Sequence, residues 1–176
     1  LSCIRVGAIV SLEWDWFDSE NDVWVLPPET TGLKRKKGKG EPHLIPATPE
    51  MHSIMNQLRE INGNKKYVFA SKEGRKYPHP DKGCINDHLI RLGFGGRQNA
   101  HGWRDVVVTV GQEEGKFKRD IIQRQIGHTE HKRGAIGSYD NSEFLKERRE
   151  FLEWWNKELI RLGMKVTEKE FYPIEN

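Results

Sequence analysis

Two basic residues stand three apart in His101-Gly102-Trp103-Arg104. On a helix they share a face, so an imidazole and a planar guanidinium would meet one ligand, and that ligand would be an anion. A second histidine, His128, follows a glycine break at Gly127. Tyr139 lies just downstream in Gly137-Ser138-Tyr139-Asp140-Asn141, a setting that exposes a phenol more readily than an apolar stripe does. The run Lys34-Arg35-Lys36-Lys37-Gly38-Lys39 puts five basic residues in six. Such a run serves equally as a solvated loop or as a surface that meets a polyanion. His128-Thr129-Glu130-His131, with His101 as a third ligand, offers the donor types of a metal site. It lacks the four-residue histidine spacing of metalloproteases, and no nearby cysteine or carboxylate cluster completes a shell. Gly38-Lys39-Gly40 lacks the longer glycine spacing and following helix of a phosphate-binding loop.

These residues need elements to position them. The apolar spacing of Ile4, Ala8, Ile9 and Leu12 predicts a helix over residues 1–12, ending at the acidic, aromatic turn Glu13-Trp14-Asp15-Trp16-Phe17-Asp18. Val23-Trp24-Val25-Leu26 and His43-Leu44-Ile45-Pro46 read as strands, which places the basic run in the turn between them. Thr48-Pro49-Glu50 caps a helix that runs to Asn62-Gly63-Asn64. Tyr67-Val68-Phe69-Ala70 reads as a further extended run, and a helix is expected from His79-Pro80-Asp81 to Gly93. Three more helices, over 101–110, 118–126 and 141–162, complete the second half. The last carries a long apolar face through Phe144, Phe151, Trp155 and Leu159. The expected class is mainly α with a small antiparallel β-sheet, an α+β fold. The tail after Gly163 is polar with one small apolar cluster.

Composition bounds the function. With 176 residues, 31% charged and a mean hydropathy of −0.78, the chain has the size of one domain and no apolar run long enough to span a membrane as a helix. Two cysteines, Cys3 and Cys84, suit a reducing compartment rather than a disulfide framework. The net charge is +3, yet after residue 139 seven Lys or Arg face nine Asp or Glu. The positive excess therefore lies upstream, where a polyanion could use it.

In order along the chain, Arg5, a lysine in a β-turn, His101-x-x-Arg104, Gly127-His128 and Tyr139 resemble the catalytic set of the tyrosine recombinases, the phage-integrase family. Leu1 to Ile9 with Leu12-Glu13-Trp14 is similar to the family's first arginine motif, and His43 to Pro46 to the strand after its catalytic lysine. Ile122-x-x-Gln125-Ile126-Gly127-His128 resembles its leucine-glycine-histidine motif. Tyr139-Asp140-Asn141-Ser142-Glu143-Phe144-Leu145, with Glu147-Arg148-Arg149 and Trp154-Trp155, resembles the closing helices of integrases from genomic islands and integrative conjugative elements. The resemblance departs from the family at Ala8, where an acidic residue is usual, and at Asp105, where many members carry a second basic residue.

The resemblance implies a tyrosine-recombinase catalytic-domain-like fold over residues 1–162, a fragment without the upstream DNA-binding domain, followed by a tail over 163–176. It implies that Arg5 and Arg104 clamp the scissile phosphate, that Tyr139 attacks it, and that Lys39, with Lys37 ranked second, protonates the leaving 5′ hydroxyl. His101 would position or deprotonate Tyr139 or donate to a phosphate oxygen, and His128 would add a hydrogen bond. Lys34, Arg35, Lys36 and Lys37 would contact DNA. No metal or cofactor is implied. The implied partner is double-stranded DNA at attachment sites, bound by a homotetramer in the cytoplasm of a bacterium. A catalytically impaired DNA-binding module and a nicking-closing enzyme of the topoisomerase IB type are the alternatives.

Overall fold

The computed structural model describes residues 1–33, 40–128 and 144–166. The first helix, α1 (Val6–Val10), is little more than one turn. It is shorter than the predicted helix because Cys3 takes a φ of 60° and the backbone before it is otherwise engaged. Ser2 O accepts from Gln125 Nε2 at 2.8 Å and Cys3 O from Arg104 Nε at 3.2 Å, so these carbonyls leave the helical pattern for long-range bonds.

A tight 3-10 turn at Trp14–Trp16 leads into a three-stranded antiparallel sheet of β1 (Phe17–Asp18), β2 (Val23–Leu26) and β3 (His43–Pro46), in that order. The acidic, aromatic stretch thus supplies a strand as well as the expected turn. Trp24 pairs with Ile45 and both are buried, so the register sends the apolar face inward. The residues 67–70 do not form a strand. They pair with the 12–14 segment through Val68 N to Leu12 O at 2.9 Å, Trp14 N to Lys66 O at 3.1 Å and a single bridge between Glu13 and Tyr67.

Helix α2 (Pro49–Asn62) starts as its cap predicts, with Thr48 Oγ1 accepting from Met51 N at 3.4 Å. Helix α3 (Cys84–Arg91) begins later than expected, after Asp81 Oδ1 has accepted from Gly83 N at 2.7 Å in a local turn. Helices α4 (Gly102–Glu113), α5 (Arg119–Gln125) and α6 (Leu145–Arg161) follow within two or three residues of their expected limits, except that residues 141–143 fall outside the described set. The molecule is helix-rich with a small antiparallel sheet, as its composition and periodicity suggest.

The core fuses these layers. Gly111 of α4 faces Phe151 of α6 and Ile122 of α5, and a Cβ there would lie 2.9 Å from the Phe151 ring and 3.0 Å from the Ile122 methyl. Only a residue without a side chain lets the three helices approach this closely. Phe117 closes the cluster edge-on to Phe151, with ring centroids 5.3 Å apart. Helix α6 is tied to the other side of the fold by Asn156 Nδ2, which donates to Thr48 Oγ1 at 2.7 Å. Among the described residues no helix is long and apolar enough to cross a membrane.

Candidate active site

Arg5 precedes α1, and its guanidinium is held by carbonyls. Nη1 donates to Gly32 O at 3.1 Å and, more loosely, to Gly127 O at 3.5 Å. The loop that brings Gly32 there needs a glycine twice over. Its φ is +89°, and a Cβ would sit 3.1 Å from the amide nitrogen of Ala8. Ala8, three residues after Arg5, is wholly buried and offers no carboxylate, and the Arg5 guanidinium is met by carbonyls instead.

Arg104 lies on the first turn of α4 and is only 6% exposed. Its Nε donates to Cys3 O at 3.2 Å and its Nη2 donates to Ile126 O. The two guanidiniums are therefore strung on consecutive carbonyls, Ile126 and Gly127, just past the C-terminal end of α5, where the helix dipole favours cations. Gly127 makes this turn at a φ of +72°, and Leu33, the last described residue before the basic run, lies 3.7 Å from where its Cβ would be. Each guanidinium retains one buried nitrogen, Arg5 Nη2 and Arg104 Nη1, with no hydrogen-bond partner among the described residues.

Unpaired buried donors on two neighbouring cations are costly unless an anion answers them. The electrostatics agree. Burial, and then the charge of Arg5, push the Arg104 guanidinium down to about 10, and burial lowers Arg5 as well. Both remain cationic at neutral pH, so the site is a pair of protonated, partly desolvated forks.

They open into a cavity of about 320 Å³, lined also by His101, Lys82, Asn86 and Asp81. His101 is exposed at the start of α4. Asn99 Oδ1 fixes its backbone by accepting from both His101 N and Gly102 N at 2.9 Å, and Asn86 Oδ1 accepts from Ala100 N at 2.9 Å. A larger cavity of about 510 Å³ shares Arg104 but is lined mainly by aliphatic and aromatic side chains, so the titratable groups gather in the smaller one. His128 is exposed and does not line that cavity. Its Nδ1 meets Gln123 Oε1 at 2.9 Å, and its amide donates to Gln123 O at 2.9 Å.

Of the residues singled out in the sequence, Arg5, His101 and Arg104 thus share one cavity, and His128 follows Gly127, whose carbonyl accepts from Arg5. Tyr139, Lys39, Lys34, Arg35, Lys36, Lys37, Glu130 and His131 lie outside the described residues. Lys82 and Asn86 escape sequence reasoning because an exposed lysine and asparagine at a helix start have no distinguishing pattern. Arg148 and Gln125 are legible in principle, since each interrupts an apolar helical stripe: Phe144, Arg148, Phe151 and Trp155 on α6, and Ile121, Ile122, Gln125 and Ile126 on α5.

The chain is 26% identical to the integrase of Enterobacteria phage P4 over 88% of its length, and 26% identical to the prophage integrase IntA of Escherichia coli K12, also over 88%. It is 25% identical to the integrase of Shigella phage Sf6 over 88% of its length. These matches show the phage-integrase resemblance that the motifs carry. The chain spans 37%, 35% and 38% of the length of these three relatives. No family model and no solved structure matches it.

Proposed function

We propose that residues 1–162 form the catalytic unit of a tyrosine-type site-specific recombinase, with the tyrosine-recombinase fold and residues 163–176 as a tail. The observation that carries this reading is the pair of guanidiniums held on the consecutive carbonyls of Ile126 and Gly127, each with a buried nitrogen left for an anion. The likeness to integrases supports reading that anion as a phosphodiester of duplex DNA.

In this reading Arg5 and Arg104 bind the non-bridging oxygens and meet the charge that grows on them as the phosphorus is attacked in line. The phenol of Tyr139, whose ordinary pKa of about 10 makes it a weak nucleophile, is activated by the positive field and by His101. Its oxygen bonds to the phosphorus, and the bond to the 5′ oxygen breaks. Lys39, or its neighbour Lys37, gives that oxygen its proton. His128 donates a further hydrogen bond. The phosphotyrosyl bond conserves the energy of the broken one, so a second strand's 5′ hydroxyl restores the diester and releases Tyr139 without a nucleotide cofactor or metal. Lys34, Arg35, Lys36 and Lys37 grip the backbone. The working form is a homotetramer on two attachment sites, acting in the bacterial cytoplasm to integrate and excise a mobile element.

The test is a denaturing gel of protein mixed with labelled junction duplex bearing a 5′-bridging phosphorothiolate, which leaves without an acid and cannot religate. A covalent band in wild type that is absent in Tyr139→Phe is expected. Lys39→Ala should cleave the sulfur-containing strand at the wild-type rate and the natural strand far more slowly. Retained DNA binding with no covalent band would leave only a binding module.

A further inference from the structure

Arg148 lies in the first turn of α6 with its side chain wholly buried. Its Nε donates to Gln125 Oε1 at 2.9 Å and its Nη2 donates to the Leu44 carbonyl on β3. Gln125 is wholly buried too, and its own Nε2 donates to Ser2 O at 2.8 Å. Its backbone carbonyl meets His43 Nε2 at 3.2 Å. One residue beyond each of these anchors lies a carbonyl that holds Arg104: Cys3 O follows Ser2, and Ile126 O follows Gln125. The Gln125 side chain, itself held by Arg148, therefore ties together the two backbone segments on which the Arg104 guanidinium hangs.

We propose that Arg148, acting through Gln125, is a positioning residue that sets the orientation of the Arg104 guanidinium and couples it to the start of α6. The inference rests on reading Arg5 and Arg104 as a phosphate clamp, and it goes further by naming what aims them. The chemistry requires arginine. A planar fork serves Gln125 and Leu44 at once, whereas a lysine offers a single ammonium on a flexible stem. A neutral replacement would leave the buried Gln125 amide oxygen and the half-buried Leu44 carbonyl without this donor. Gln125 is equally specific, since it must accept from Arg148 and donate to Ser2 with one planar group.

The experiment uses the full chain in wild-type, Arg148→Lys and Gln125→Glu forms. Gln125→Glu keeps an acceptor for Arg148 and removes the donor to Ser2, so it cuts the relay at its second link. Two readouts are taken on samples whose folded fraction is matched by thermal melting. The first is the arginine Nε–H spectrum: the Arg104 signal should move in both variants while that of Arg161, on the surface, stays in place. The second is the single-turnover cleavage rate on duplex carrying either a natural scissile phosphate or a neutral methylphosphonate. Misplacing a reacting group by an ångström costs roughly 100-fold, so the variants should cleave the natural diester about 10- to 100-fold more slowly, with unchanged KM for DNA. The gap should narrow to a few-fold on the neutral substrate, which asks less of the guanidiniums.

An unmoved Arg104 signal overturns the proposal, as does an equal rate deficit on both substrates. A wild type that forms no covalent product would instead sink the strand-cleavage reading, and the Arg104 signal would still decide the positioning claim.

Discussion

The two walls of the arginine cavity are built in opposite ways. Arg5 and Arg104 stand on the side formed by α1, α4 and α5, where buried apolar contacts between α4, α5 and α6 lock the backbone and carbonyls lock the guanidiniums. The other wall comes from the turn Asp81 to Gly83 and from Asn86 of α3, a helix none of whose residues is buried, and whose Ile85 and Ile90 are exposed with the neighbouring Leu92 and Phe94. What joins α3 to the site is chiefly polar, notably Asn86 Oδ1 accepting from Ala100 N. In the proposed reading the charges that meet a developing anion are mounted on the rigid half, while the other half is held by few contacts.

The sharpest way to break this contrast is to damage the rigid half. Phe151→Ala removes a wholly buried ring from the α4–α5–α6 junction and should cost about 3–5 kcal/mol in denaturant unfolding. A loss below about 1 kcal/mol would mean that the junction does not carry the stability assigned to it.

A smaller effect should come from the site itself. Inorganic phosphate at ten times its Kd should stabilise the folded chain by about 1.4 kcal/mol, and Arg104→Met should abolish the gain. The pH dependence has a definite sign. Arg104 is held below its ordinary value, to about 10, so its burial as a cation opposes folding most fully below that pH, and the penalty fades as pH climbs above it. Once phosphate is past its second ionisation, its binding should run the other way, falling through about pH 10 as the guanidinium loses its proton. Melting curves with and without phosphate, at matched ionic strength, measure both trends.

The smallest effect belongs to the loose half. Ile90→Ala on α3, where the side chain is 61% exposed, should change stability by less than about 0.5 kcal/mol. A change several times larger would show α3 to be packed against something, and would erase the contrast.

Much of this organisation is legible in the sequence because it depends on local rules. Thr48-Pro49 caps α2 as its residue types require, short β-type runs become β2 and β3, and three-to-four spacing marks α4 to α6. The three-residue spacing of His101 and Arg104 brings both to one cavity with Arg5. What escapes is long-range. Residues 1–5 have a helical pattern, yet the carbonyls of Ser2 and Cys3 are claimed by side chains more than 100 positions away. Every residue has a carbonyl, so nothing in the sequence singles out Gly32, Ile126 and Gly127 as the ones that hold guanidiniums. The arginine inside the apolar stripe of α6 was a readable signal of a buried polar network, although its partners were not.

In the proposed reading Arg5 and Arg104 act as one anion site. The most direct measurement follows the Nε–H resonances of both arginines while inorganic phosphate is titrated in at pH 7 and constant ionic strength. Both signals should shift together with a single half-saturation concentration, and Arg5→Lys should weaken the response of Arg104. Signals that stay still, or that move at two separate concentrations, would contradict a shared clamp.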